Sequence, residues 1–187
     1  MDDTMNKSAY QRNLEKVPPC YRKVVDDLDV QFGAVTHDLW VADRLNVAPS
    51  SVDFAQSIRN SDPDELTNRE LDYLAFTAIT TMGGVPTLKF VLPRFFAAYF
   101  ASRLEGWTVA PDAMLERLQL ANVEEWTPLE QLAASRALLA FAESELALLR
   151  EDVASWKGDP EKAVDVEISA AADWATQRIA SLSESPA

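Results

Sequence analysis

Residues 67–104 constrain the fold of this chain more tightly than any other stretch. Thr67-Asn68-Arg69-Glu70 has the spacing of a capping box, in which the threonine oxygen takes the third amide of a helix and the glutamate reaches back to the first. The apolar residues that follow, Leu71, Leu74, Ala75, Ala78, Ile79 and Met82, recur at steps of three and four, so an amphipathic helix is predicted there. Gly83 is expected to stop it in the left-handed conformation, and Pro86 to start the next helix. Leu88, Val91, Leu92, Phe95, Phe96, Tyr99, Phe100 and Leu104 then cover more than half of a helix circumference, the pattern of a helix buried on several sides. Pro93 lies inside that helix, where it removes one backbone bond and crowds the carbonyl four residues back; a kink near residues 89–93 is expected.

The rest of the chain repeats the helical period and has few alternating runs of strand type. A short helix is expected around Lys7 to Lys16. After Pro18-Pro19, the residues Cys20, Val24, Val25, Leu28 and Phe32 form one face, closed by Gly33. Thr36 opens a short helix carrying Leu39, Trp40, Ala42 and Leu45, although residues 35–41 also fit a strand, and Ser50 or Ser51 opens another with Val52, Phe54 and Ile58. Gly106 ends the hairpin and Pro111 begins a helix with Met114, Leu115 and Leu118. Thr127-Pro128-Leu129-Glu130 repeats the capping-box spacing ahead of a long helix reaching about Ser155. Asp159-Pro160 is expected to cap the last helix, with the face Val164, Ile168, Ala171, Ala175, Ile179 and Leu182. The expectation is an all-α fold: a compact irregular bundle of about seven to eight helices around a central kinked apolar helix at residues 86–105. One helical domain over residues 1–187 is expected, with frayed ends at 1–6 and 181–187.

Composition narrows the functional classes. No run approaches the ~20 apolar residues of a membrane-spanning helix, because Leu88 to Phe100 is broken by Lys89, Pro93 and Arg94. The first ten residues lack a basic head and an apolar block, and Cys20 is the only cysteine, so cytoplasmic residence without disulfides or membrane contact is expected. Net charge is −13, and residues 107–187 hold fifteen acids against six bases, or −9 of that total. Such an excess repels nucleic-acid phosphates and draws in cationic surfaces.

The residues that could carry chemistry are sparse. His37 is the only histidine, which removes every two-histidine zinc site. Cys20 reads as a small buried hydrophobe. Asp27 to Asp38 resembles a calcium loop only in its alternating acids, since Phe32 holds the place of the glycine. Glu124, Glu125, Glu143, Glu151 and Asp152 fit a solvated acidic surface better than paired catalysts. No catalytic residue, metal site or cofactor is assigned.

Lys89 and Arg94 differ, being charges inside the most apolar helix. No acid occurs between Asp72 and Glu105, so a carboxylate partner for Arg94 is expected from another helix. A buried guanidinium without one would cost several kcal/mol. The expected arrangement is an interhelical salt bridge, or donation to helix-end carbonyls left free by Pro93; the functional alternative is an anion or a partner's carboxylate held by Lys89 and Arg94. Among five tryptophans, Trp107 and Trp126 stand at helix entrances, as anchors between helices or as interface residues.

Leu66-Thr67, Leu71, Tyr73-Leu74-Ala75-Phe76, Ala78-Ile79-Thr80-Thr81, Gly83 and Leu88-Lys89-Phe90-Val91-Leu92-Pro93-Arg94 resemble a family of uncharacterised bacterial all-helical proteins. In that family a helix ending Thr-Thr-Trp-Gly precedes an aromatic-rich segment with Leu-Pro-Arg. Glu125-Trp126-Thr127-Pro128-Leu129-Glu130 resembles its Trp-Pro-x-x-Glu helix start. Met82 stands here in place of the family's tryptophan, and the cysteine-containing segment of some members has no counterpart, so a metal role does not carry over. The resemblance implies an all-helical fold and no activity.

These readings rank a non-catalytic protein-binding module first, in concrete form a bacterial immunity or antitoxin protein whose acidic surface neutralises a basic partner. A binder or enzyme for a small anionic ligand, with a pocket near Lys89 and Arg94, ranks second. Sequence-specific DNA binding ranks last, because the second helix of the hairpin is too apolar and the chain too acidic for groove insertion.

Overall fold

Helix signals at Ser8, Pro18-Pro19, Thr67, Gly84-Val85-Pro86, Pro111, Thr127 and Asp165 each open a helix in a computed structural model, which describes residues 7–35, 58, 61–80, 84–102, 108–155 and 165–184. The helices are α1 (Ala9–Lys16), α2 (Pro19–Phe32), α3 (Asn68–Thr77), α4 (Val85–Ala101), α5 (Pro111–Leu120), α6 (Pro128–Ser155) and α7 (Val166–Glu184), with 3-10 turns at Pro63–Glu65 and Val123–Glu125. No strand occurs among the described residues, and the fold is all-α. Chain contacts fall into two units, Met1–Val109 and Ala110–Ala187.

In the first unit α4 is the centre, packed by α1, α2 and α3. Every residue from Phe90 to Phe100 is buried, as the width of its apolar face predicts. Phe95, Phe96, Tyr99 and Phe100 are fully enclosed, and each aromatic side chain so buried contributes on the order of 2–3 kcal/mol. Tyr21 of α2 stacks on Phe100 with ring centroids 4.1 Å apart. The capping box at Thr67 forms as its spacing predicts: Thr67 Oγ1 accepts from the Glu70 amide at 3.3 Å and Glu70 Oε2 accepts from the Thr67 amide at 2.8 Å. Asp72 of α3 accepts from the Thr108 and Val109 amides at 3.1 and 2.9 Å, which fixes the chain beyond α4.

Several boundaries differ from expectation. Helix α3 ends at Thr77, short of Met82, because the β-branched run Ile79-Thr80-Thr81 follows and gives up side-chain freedom in a helix. Gly84 provides the turn: its φ of 102° suits glycine, and its amide donates to Ala78 O at 2.7 Å. Gly33 does close α2, yet at φ −61° it is not left-handed. Glycine is needed there for close approach, since a Cβ would lie 2.5 Å from the Asp29 carbonyl oxygen. Cys20 is exposed rather than buried, because the packed stripe of α2 begins with Tyr21 and Val25.

In the second unit α7 packs against α6 and α5, and α5 against α6. Thr127 and Glu130 form the second capping box, with Thr127 N to Glu130 Oε2 at 2.9 Å and Glu130 N to Thr127 Oγ1 at 3.3 Å. The core is built from Phe141 and Leu138 among small residues, including Ala134, Ala137, Ala171 and Ala175. Helix α7 starts at Val166, later than predicted, because the Asp165 carboxylate takes the Glu167 and Ile168 amides at 2.9 and 3.0 Å and so caps it. The helices expected after Thr36 and Ser50, together with His37, Trp40, Gly83, Gly106, Trp107, Trp156 and Asp159-Pro160, lie outside the described residues.

Candidate functional site

Arg94 is buried on α4 and directed at the 3-10 turn Pro63–Glu65. Its Nε and Nη2 donate to Asp64 Oδ1 at 3.1 and 2.7 Å, and its Nη1 donates to Phe90 O at 3.1 Å. The arginine is ion-paired as expected, but its carboxylate comes from a 3-10 turn and not from another helix, and the carbonyl it reaches is not the one Pro93 frees. The carbonyl is Phe90 rather than Lys89, whose usual donor is the amide Pro93 lacks. Two rings lie against the guanidinium, with the Phe90 centroid 3.9 Å and the Tyr10 centroid 5.0 Å from its carbon.

Tyr10 extends this cluster to α2 by donating from its hydroxyl to Asp29 Oδ1 at 2.8 Å. Burial, then the bond to Asp29 and the charge of that carboxylate, hold the Tyr10 hydroxyl well above the ordinary tyrosine pKa. The crevice lined by Tyr10, Asn13, Pro63, Asp64 and Arg94 has no room for a water-sized sphere. Lys89 is half-buried and directed elsewhere, with its ammonium 5.9 Å from the Phe32 ring centroid. Lys89 and Arg94 thus reach toward different neighbours. The geometry of Arg94 is that of a clasp within the first unit.

The second unit gathers the acidic residues differently. Asn122, at φ 49° and ψ 50°, holds the left-handed turn that non-glycine residues rarely adopt and asparagine tolerates best. That turn leads into Val123–Glu125, pinned from beneath by Gln131 of α6. Its Nε2 donates to Glu124 O at 3.0 Å and to Trp126 O at 2.6 Å, and its Oε1 accepts from Arg178 Nη2 of α7. Trp126 is buried, and its indole N–H donates to Ala121 O at 3.1 Å, so it anchors the turn.

With the backbone held inside, Glu124 and Glu125 are left exposed. They line a depression of about 190 Å³ together with Gln119, Asn122, Val123 and Trp174. Arg178 Nη1 lies 3.9 Å from Glu124 Oε1, at the limit of an ion pair. Glu143, Glu151 and Asp152 are exposed on α6 and do not line this depression. Among the predicted residues, Glu124 and Glu125 are therefore brought together, while Trp126 supports them from within. Trp174 is one of the five tryptophans, read as anchors between helices or as interface residues, and Gln131 and Arg178 stand in no recognisable motif.

Among the described residues no group of three or more His, Cys, Asp or Glu is arranged to hold a metal ion, and no helix is long and apolar enough to cross a membrane. No family model, no curated protein and no solved structure matches this chain.

Proposed function

We propose that this chain is a non-catalytic protein-binding module whose second unit docks a basic partner at the Glu124–Glu125 turn. One observation carries the reading: two exposed carboxylates line the same depression as Trp174, on a backbone fixed by Gln131, Trp126 and Asn122. Aromatic residues beside a charged rim are the composition of interface centres. A fixed turn limits the ordering cost of binding. The charge of the second unit, fifteen acids against six bases, favours encounter with a cationic surface at low salt. An immunity- or antitoxin-type protein that neutralises a basic protein is the concrete form of this proposal, and it rests on analogy of composition.

Fluorescence anisotropy with a labelled arginine-rich peptide tests it. Reversing both charges in a Glu124→Lys/Glu125→Lys variant is expected to weaken binding by about ten-fold, with little change in a Glu151→Lys/Asp152→Lys variant. Equal weakening by both variants would mean diffuse attraction to an acidic protein and would remove the proposed site.

A further inference from the structure

We propose that α1 is a releasable strap over Arg94, hinged at Val17-Pro18-Pro19, which opens as a unit while α2, α3 and α4 stay folded. The helix is well formed locally, with a capping box of Ser8 and Gln11, yet none of its residues is fully buried, Tyr10 and Leu14 being half-buried. A helix of eight residues has little stability of its own and depends on what it packs against.

It packs along α4, and its further ties to the first unit are polar groups at its edges. Tyr10 donates to Asp29, Arg12 reaches Glu65 at 3.4 Å, and Arg22 of α2 donates to Glu15 O and Val17 O at 3.3 Å each. Arg12 and Glu65 are half-exposed, so water competes for that pair. Val17, immediately after the helix, is buried, and the two prolines after it fix the backbone direction; these form the pivot. Segments with few buried apolar contacts and accessible hydrogen bonds open at lower free energy than the core.

The Tyr10 ring is one wall of the Arg94 site, 5.0 Å from the guanidinium carbon. Opening of α1 removes that wall and exposes the outer face of the guanidinium while its bonds to Asp64 and Phe90 O persist. The strap therefore governs the access of solvent and reagents to Arg94, independently of any docking at the second unit.

Hydrogen exchange followed by mass spectrometry on the full chain, paired with phenylglyoxal modification of Arg94, tests this. Amides of residues 9–16 are expected to exchange about 100-fold faster than those of residues 90–100. Tyr10→Phe, which removes only the hydroxyl held by Asp29, is expected to raise both α1 exchange and Arg94 modification by about ten-fold while leaving α4 exchange unchanged. Equal exchange of α1 and α4, or a Tyr10→Phe variant that changes both helices or neither, would overturn the proposal.

Discussion

Arg94 and Asp64 meet through two guanidinium nitrogens on one carboxylate oxygen, an arrangement in which the arginine is buried and the Asp64 side chain is 46 % exposed. The asymmetry sets the energetics. Removing Asp64 strands a cation that still bonds to Phe90 O, whereas removing Arg94 leaves a carboxylate that water can solvate. Arg94→Ala is expected to cost about 2–3 kcal/mol, mostly through the packing lost between the Tyr10 and Phe90 rings. Arg94→Met, which restores the packing, should recover about half of that. A double-mutant cycle with Asp64→Asn, measured by urea unfolding, should show a coupling of about 1 kcal/mol. A coupling near zero would mean that the pair is incidental.

Tyr10 links stability to alkaline pH. Its hydroxyl stays protonated in the folded chain to a higher pH than in the unfolded chain, so the unfolded state binds fewer protons once the ordinary tyrosine value is passed. Its contribution is complete below about pH 10 and is lost as pH rises above that value. Wild type should lose stability more steeply than Tyr10→Phe in that range, as measured by urea midpoints at a series of alkaline pH values. Parallel slopes would contradict the half-buried, hydrogen-bonded hydroxyl.

Gly33 is required by proximity, and its replacement reports on α2. A Cβ would stand 2.5 Å from Asp29 O and 2.7 Å from the Asp29 carboxylate, the group that receives Tyr10. Gly33→Ala is expected to destabilise by about 1–3 kcal/mol. It should also speed hydrogen exchange in α1, because the displaced carboxylate can no longer hold the tyrosine.

Gln131 sets the position of the acidic turn. Gln131→Leu removes the donor from the Glu124 and Trp126 carbonyls and the acceptor from Arg178, leaving buried polar groups unpaired. A loss of about 2 kcal/mol is expected. Binding of a cationic peptide should weaken in the same variant although no charge has been altered. Unchanged binding would show that the turn needs no support from α6.

What the sequence disclosed follows from the range of each interaction. The capping boxes at Thr67 and Thr127 are contained within four residues, and both form where their spacing places them. The burial of α4 was legible because almost every position is apolar. The need for a carboxylate opposite Arg94 was also legible, from the absence of acids between Asp72 and Glu105. That the partner is Asp64, and that Tyr10 covers the guanidinium, depends on how α1 and the Pro63–Glu65 turn reach α4, which no local pattern encodes. The turn at Asn122 escaped notice for a related reason: its left-handed conformation is stabilised by Gln131 and Trp126, which come from the segments beyond it. The end of α3 was misjudged because the apolar period continued through Ile79 and Met82 while backbone propensity had already turned against a helix.

The most direct test of the docking face is an NMR titration of the full chain with an unlabelled arginine-rich peptide at two ionic strengths. Chemical-shift changes should concentrate on the amides of residues 119–125 and on the Trp174 indole, and should shrink at the higher salt. Changes spread evenly along the exposed acids of α6, or confined to residues around Arg94, would contradict it.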